Sequence, residues 1–231
     1  MAEGKDLMGR IMGRRWVQLT APVVILAAAA AFAYFSGQFA GPRHYDTATL
    51  HVTGADASSR MSDPAAYRLR VWGKVKKELS LSLQDIKAMP AARTDAPLEC
   101  VVEWTDRALW EGVPIRDVVR MAEPEASAKF LVFRDDRDFY SSLSMDYVQT
   151  GRPLLAWKVN GADLPRDQGW PIRVAAPGKW GYKWVKWVTQ IEVTDRGYEG
   201  SYESSGFSLD GDADKPRTQQ ERQQVDCPPA K

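Results

Sequence analysis

Residues 171–188, PIRVAAPGKWGYKWVKWV, form the most distinctive stretch of the chain. The stretch contains one arginine, three lysines, three tryptophans and one tyrosine, and it has no acidic residue. The glycines of GKWGYK let the backbone approach a ligand closely, and converging arginine and lysine side chains suit a phosphate. On a simpler interpretation, the tryptophans fill the core and the lysines point into water. The pattern favours an anion site beside aromatic rings.

The bulk composition limits the class of protein. The chain has 231 residues, of which 44% are hydrophobic, so it can form one domain with a core and appended segments. Its 31 basic and 30 acidic side chains give a net charge of +1. A general nucleic-acid binder normally carries a strong basic excess. The composition therefore argues against nucleic acid as a partner, and the basic stretch is a local feature.

The amino terminus predicts a transmembrane helix. Residues 16–40 carry no charged side chain and are most apolar between Ala21 and Phe35. They follow a basic segment, residues 1–15, which contributes Lys5, Arg10, Arg14 and Arg15. Because such basic segments stay in the cytoplasm, the rest of the chain is predicted to be membrane-anchored and to face the periplasm.

Two alternatives stay open for this amino-terminal segment. Ala31-Phe32-Ala33 is typical of a signal-peptide cleavage site, and cleavage there would release the domain after export. Arg14-Arg15 resembles a twin-arginine signal, which exports proteins that are already folded. Paired arginines before an apolar segment also arise from the positive-inside rule alone.

Composition divides the remaining residues into three parts. Residues 41–65 are polar and rich in small side chains, and we predict a spacer. Residues 66–196 carry the apolar patterning of a folded domain. Residues 197–231 are polar, particularly after Leu209, and we predict a largely disordered tail.

Periodicity predicts a mainly β domain with short helices, of the α+β class. Alternation from Tyr67 is typical of a half-buried strand, and Ser82 with Asp85 forms a capping-box pattern for a helix that Pro90 ends. Further strands are predicted at residues 97–104, 130–133, 154–159 and 185–193, with a helix after Pro114 and a hairpin turn at Asn160-Gly161.

Two cysteines and two histidines are the candidates for metal chemistry. Cys100 lies in the predicted strand at residues 97–104, and Cys227 lies in the polar tail. A disulfide or a buried core position would each explain Cys100 simply. A lone thiolate also suits a transition metal whose other ligands come from a cofactor. His44 and His51 have no Cys or His neighbours, and we expect both to be solvent-exposed and without function.

Taken together, the segments resemble the molybdopterin-binding domain of the sulfite oxidase family, from Tyr67 to about Val193. Four segments occur in the order of that family: YRLRVWGKVKKELSLSLQDIKAMP, LECVVEW, WEGVPIRDVV and LLAWKVNGADLPRDQGWPIRVAAPGKWGYKWVKWVTQIEV. The LPRDQGWPIR and VKW elements of the last segment are highly specific. The resemblance implies the sulfite-oxidase-type fold.

The resemblance also implies a set of site residues for a molybdenum–molybdopterin cofactor. Cys100 stands where the family has the cysteine that donates a thiolate to molybdenum, so it is the implied catalytic and metal-binding residue. Five further residues stand at cofactor-binding positions: Gln168, Arg173, Trp184, Val185 and Lys186. Of these, Arg173 is expected to contact the pterin-phosphate portion and Lys186 to neutralise the terminal phosphate.

The implied activity is oxygen-atom transfer to or from a small molecule, coupled to single-electron transfers with a partner such as a cytochrome or a membrane haem protein. The alternative is a non-catalytic binding or assembly module that keeps the fold without the cofactor. Three departures from the family pattern bear on the substrate. The stretch before Tyr67 matches poorly, Arg134-Asp135-Asp136 places carboxylates near the expected site, and the active-site tyrosine has three candidates, Tyr140, Tyr198 and Tyr202.

Overall fold

The computed structural model describes residues 50–52, 57, 63–102 and 104–218. Over these residues the chain forms a mainly β, α+β domain, which confirms the predicted class. The elements are β1 (Arg68–Gly73), β2 (Leu79–Ser82), α1 (Leu83–Ala88), β3 (Ala92–Glu99), β4 (Thr105–Pro114), α2 (Ile115–Met121), β5 (Phe130–Arg134), β6 (Tyr140–Ser144), α3 (Met145–Thr150), β7 (Leu154–Val159), β8 (Ala162–Asp163), β9 (Arg173–Ala175) and β10 (Gln190–Thr194).

The described strands form two five-stranded sheets. The first sheet has the order β2-β1-β10-β5-β6, in which β1 and β10 are parallel and the other neighbours antiparallel. The second has the order β3-β4-β7-β8, with β9 also paired to β7. A bridge between Glu99 and Trp180 brings the end of β3 beside the basic stretch. This contact places Cys100 next to the residues that the sequence marks as an anion site.

Local sequence signals account for the elements at the start of the domain. Leu69 and Val71 alternate with arginines along β1, and both apolar side chains are fully buried. Ser82 caps α1: its Oγ accepts from the backbone N–H of Asp85 at 3.1 Å, and the Asp85 carboxylate accepts from the Ser82 N–H at 2.8 Å. The predicted strand and capped helix are therefore confirmed.

The predicted Asn160-Gly161 turn joins β7 to β8. Both residues have positive φ, 53° and 84°, as the tight hairpin turn of this type requires. The side chain of Asn160 also accepts a hydrogen bond from the backbone N–H of Leu109 at 2.9 Å, which ties the turn to β4.

The predicted strand at residues 97–104 is wrong in its second half. β3 ends at Glu99, and the chain turns at residues 101 and 102 before β4 begins. The strands β4 and β6 and the helix α3 were not predicted from the sequence. The backbone N–H of Cys100 donates to the carbonyl of Trp104 at 2.9 Å and closes this turn. Cys100 therefore lies just after a strand and not inside one. The prediction failed because a mainly apolar segment can form one continuous strand or can contain the turn between two strands.

The predicted long strand at residues 185–193 is also shorter than expected. β10 begins at Gln190, because Trp187 has a left-handed φ of 53° that an extended strand does not allow. Val188 is fully buried, and its N–H donates to the carbonyl of Ile172 at 3.0 Å. The residues before β10 are thus an irregular segment whose side chains are free to line a site.

Residues 197–218, hereafter the strap, correct the prediction of a disordered tail. The strap contains a 3₁₀ turn at Glu203–Ser205 and a β-bridge between Phe207 and Thr218. Its carboxylates pair with buried lysines of the domain, so its polar composition does not leave it unattached. Residues 219–231, including Cys227, lie outside the described residues.

Within the described part of the chain, no helix has the length and apolarity needed to cross a membrane. The predicted anchor at residues 16–40 and the basic segment before it lie outside that part, as does most of the predicted spacer.

Candidate active site

A cavity of about 390 Å³ brings together most of the site residues named from the sequence. Its lining includes Cys100, Gln168, Arg173, Trp184 and Lys186. Val185 does not line it; this side chain is fully buried in the core, and its carbonyl accepts from the N–H of Val174 at 2.8 Å. Cys100 therefore shares one cavity with four side chains that lie at least 68 residues later in the chain.

Cys100 lines this cavity and forms no disulfide within the described residues. The residue is partly exposed. Gly181 packs against the same turn: a Cβ there would lie 3.2 Å from the carbonyl oxygen of Glu99 and 3.8 Å from the Cα of Cys100. The glycine lets the basic stretch pass close to the backbone that carries the thiol.

Arg173 is a buried cation held mainly by neutral groups. It begins β9 with 1% of its surface exposed, and it donates to the carbonyl and side-chain oxygens of Gln168 at 3.1 and 3.0 Å and to the carbonyl of Trp184 at 3.3 Å. Its guanidinium lies 4.9 Å from the ring centre of Trp110. Burial lowers the pKa of Arg173 to about 9. Among the described residues, no carboxylate pairs with it and its Nε has no hydrogen-bond partner.

Lys186 provides a second, half-buried positive charge beside Arg173. Its Nζ donates to the carbonyl of Asp167 at 2.7 Å. Burial, and then the positive charge of Arg173, lower the pKa of Lys186 to about 7. Gly169 permits the approach of the two cations, because a Cβ at this position would lie 2.9 Å from the Cβ of Lys186 and 3.1 Å from that of Arg173. Two desolvated cations this close favour an anion between them.

The other two lysines of the basic stretch form salt bridges with residues of the strap. Lys179 forms a salt bridge with Asp212, and Lys183 forms one with Glu203 in which both side chains are fully buried. The expectation that the cations of the stretch converge on one ligand therefore holds for Arg173 and Lys186, not for these two.

We predict that sulfate binds the cofactor-free protein more tightly at about pH 6 than at about pH 9. Sulfate pairs with protonated Lys186, whose pKa in the fold is about 7, so binding at higher pH requires proton uptake. The affinity is then expected to fall by up to about tenfold per pH unit above neutrality.

The measurement is the sulfate-induced rise in Tm of protein made without molybdenum cofactor. In Lys186→Met the change in affinity between about pH 6 and pH 8 disappears, because the remaining cation Arg173 has a pKa of about 9 and stays protonated over most of that range, whereas exposed Lys87→Met keeps the change; a change retained over this range in Lys186→Met contradicts the assignment.

His51 is solvent-exposed, as the sequence predicts, but it also contacts residues of the cavity, which the sequence does not predict; His44 lies outside the described residues. It lines the cavity, and its imidazole stacks on Trp104 with ring centres 4.7 Å apart. Its Nδ1 lies 2.7 Å from a carboxylate oxygen of Asp106, and its carbonyl accepts from Gln168 Nε2 at 2.9 Å. No local pattern signals this cluster, because these partners are 55 and 117 residues away.

The carboxylates and tyrosines noted in the sequence separate into two groups. Asp135 lines the cavity, and its Oδ1 accepts from the N–H groups of Arg137 and Phe139 at 2.8 and 2.9 Å. Tyr202 also lines the cavity, stacked on Tyr182 at 5.6 Å between ring centres. Two other candidates, Tyr140 and Tyr198, flank the guanidinium of Arg134 instead. Tyr182 itself lines the cavity and was missed.

A model of the oxidoreductase molybdopterin-binding domain matches residues 56–202. The chain belongs to this family. It is 28% identical over 151 residues to the uncharacterized oxidoreductase YuiH of Bacillus subtilis, which covers 65% of this chain and 76% of that protein. The domain described above is thus a molybdopterin-binding oxidoreductase domain.

Two relatives have names that state a substrate. The chain is 29% identical to the putative protein-methionine-sulfoxide reductase subunit YedZ1 of Azospira oryzae, over 68% of this chain and 60% of that protein. It is 27% identical to the protein-methionine-sulfoxide reductase catalytic subunit MsrP of Ralstonia nicotianae, over 67% of this chain and 54% of that protein. The chain therefore spans little more than half the length of these reductases.

A solved structure shares the fold. The sulfane dehydrogenase SoxCD from Paracoccus pantotrophus superposes with a TM-score of 0.61 and 26% identity, covering 69% of this chain and 46% of the SoxCD chain. The family match and this neighbour bear out the resemblance inferred from the sequence segments.

Proposed function

We propose that the domain holds a molybdenum–molybdopterin cofactor in the cavity and transfers oxygen atoms, with electrons exchanged with a redox partner. The observation that carries the proposal is that the Cys100 thiol, the buried Arg173 and the half-buried Lys186 line one cavity. A soft thiolate suits a transition metal, and two desolvated cations suit a phosphate. The donor set therefore fits a cofactor that carries both a metal and a phosphate.

Each lining residue has a role in this proposal. Cys100 donates its thiolate to the metal, and Arg173 uses the unpartnered Nε together with its charge to hold the pterin-phosphate portion. Gln168 orients Arg173, and Lys186 faces the terminal phosphate. Trp184 forms an aromatic wall. When bound, the cofactor supplies the two-electron chemistry of oxygen-atom transfer.

Val185 contributes through its backbone. Its carbonyl accepts from the N–H of Val174, and this bond aligns the irregular segment before β10 with β9. The residue thus fixes the spacing between Arg173 and Lys186 without facing the cavity.

The cavity lining favours a neutral substrate. Asp106 and Asp135 line it, and its two cations, Arg173 and Lys186, are assigned to the cofactor. Much of the remaining lining is apolar or aromatic: Leu50, Val101, Val102, Trp104, Phe139, Phe207. A sulfite dianion would meet the carboxylates, whereas an uncharged sulfoxide would not. The names of the two reductase relatives are in line with a sulfoxide.

The proposal extends to location and partner. The apolar residues 16–40, preceded by arginines, support an anchor that holds the domain on the periplasmic side of a membrane. The two reductase relatives are named as subunits. A cytochrome or membrane haem protein is the proposed electron-transfer partner.

Purified protein from cells that make the cofactor is expected to contain molybdenum and pterin in near-stoichiometric amounts. Lys186→Glu is expected to lose both, because it places a negative charge beside the phosphate. The control is Lys87→Glu, which makes the same charge change at an exposed helix position and is expected to keep both. Molybdenum is measured by mass spectrometry, pterin by fluorescence after oxidation, and folding by circular dichroism. Folded wild-type protein lacking both would instead indicate a non-catalytic module.

A further inference from the structure

We infer that His51, oriented by Asp106, carries protons between the cavity and solvent during oxygen-atom transfer. The inference rests on the proposed function and deepens it. It arises from a residue pair that the cofactor assignment leaves without a role: a histidine at the cavity wall whose ring is fixed by one carboxylate.

Oxygen-atom transfer must move protons as well as electrons. For a substrate X, the balanced conversion is X + H₂O → XO + 2 H⁺ + 2 e⁻. The X–O bond forms, both O–H bonds of water break, and X is oxidised. The two electrons leave to the haem-protein partner in single steps. Reduction of a sulfoxide is the reverse, with the oxygen leaving as water. In either direction two protons must cross between the cavity and bulk solvent.

The contacts of His51 fix its ring in one orientation. Asp106 binds the residue twice, since Oδ2 accepts from the backbone N–H at 2.5 Å and Oδ1 lies 2.7 Å from Nδ1. The Trp104 ring stacks against the imidazole with an interplanar angle of 15°. A carboxylate at Nδ1 selects the tautomer in which Nδ1 carries the proton, which leaves Nε2 as the acceptor. This is the arrangement of an oriented general base.

The position of His51 suits exchange with water. Its side chain is 54% exposed while it also lines the cavity, so one ring meets both environments. Asp106, by contrast, is only 10% exposed. A histidine bridging the two spaces can take a proton on one side and release it on the other.

The other titratable groups of the cavity have different tasks. From the turn after β3, Cys100 is the proposed metal ligand. From β9 and the segment before β10, Arg173 and Lys186 face the anion. Just after β5, the Asp135 carboxylate accepts hydrogen bonds from two backbone N–H groups. In the basic stretch, the Tyr182 hydroxyl donates to the carbonyl of Ser208 at 2.6 Å.

Substitution of His51 tests proton transfer in the full-length, cofactor-loaded protein. His51→Gln is expected to lower the turnover of dimethyl sulfoxide with a reduced viologen dye about 100-fold, the scale of a lost general acid–base. Molybdenum and pterin contents are expected to stay at the wild-type level. In His51→Ala, free imidazole is expected to restore turnover in proportion to its concentration. The matched control is His44→Gln, the other histidine of the chain, which should behave as wild type.

A second readout does not depend on turnover. Nitrogen NMR of histidine-labelled protein reports which ring nitrogen carries the proton, and His44→Gln identifies the His51 signals. We expect the Nδ1–H tautomer in the wild type and a mixture of tautomers in Asp106→Asn. A wild-type mixture, unchanged turnover in His51→Gln, or no rescue by imidazole would each overturn the inference.

The outcomes also separate this inference from the proposed function. Loss of molybdenum and pterin in His51→Gln would make His51 a cofactor-binding residue and overturn proton transfer, while the proposed function would stand. Wild-type protein without molybdenum would overturn both.

Discussion

Cys100→Ser is expected to abolish oxygen-atom transfer while the protein keeps most of its pterin. Cys100 and the proposed phosphate-binding cations, Arg173 and Lys186, are separate residues of the cavity lining, so the loss of the metal ligand leaves the proposed anchor of the pterin in place. Loss of an outer-sphere partner of a metal ligand already costs about 10–100-fold. Loss of the ligand itself should cost at least about 100-fold in turnover. The measurements are viologen-coupled sulfoxide turnover and fluorescence of the released pterin.

The chain offers a matched control for this substitution. Cys227→Ser removes the other thiol and is expected to leave turnover unchanged. Equal losses in the two variants would point to a role shared by both cysteines, such as a disulfide, and would contradict a thiolate ligand at Cys100. Loss of pterin from Cys100→Ser, in turn, would mean that the cations do not anchor it independently.

The basic stretch shows how far sequence reasoning reaches. Its composition predicted an anion site, and its segment order identified the family. The sequence of the stretch did not reveal which cations face the cavity. Lys179 and Lys183 form ion pairs with carboxylates that lie 33 and 20 residues later, in the strap. Periodicity reports which face of an element is apolar, whereas ion pairing over such separations depends on the fold.

The same limit explains the wrong strand end at Cys100 and the contacts of His51 that were not predicted. PLECVVEW has the composition of one strand, yet β3 ends at Glu99 and the chain turns. A turn inside an apolar run leaves no glycine or proline signal to detect. His51 has no ligand-forming neighbour in sequence, and its carboxylate partner Asp106 comes from β4. Sequence periodicity does not specify which distant residues the fold brings into contact.

Glu203→Gln is expected to lower the free energy of unfolding by about 3–5 kcal/mol, because it leaves a buried lysine without its counter-charge. Glu203 Oε1 accepts from Lys183 Nζ at 2.5 Å and from Ser141 Oγ at 2.7 Å, and both charged side chains are fully buried. Burial lowers the pKa of Lys183, while Glu203 opposes that shift. Chemical denaturation monitored by tryptophan fluorescence provides the measurement.

The pH dependence of this loss has a definite sign. Without Glu203, the pKa of Lys183 in the folded protein falls further below that of the unfolded chain. The unfolded state then binds more protons, so stability rises with pH through this range. The deficit of Glu203→Gln relative to wild type should therefore be larger at about pH 7 than at about pH 10.

A double variant separates the charge from the packing. Lys183→Met with Glu203→Leu removes both charges and is expected to cost less than either single substitution, since burying an ion pair gains little over apolar contact. The exposed pair of Arg70 and Glu78 gives the control, and Glu78→Gln should change stability by less than about 1 kcal/mol. Glu203→Gln with an equally small effect would mean that the strap is not anchored by this pair.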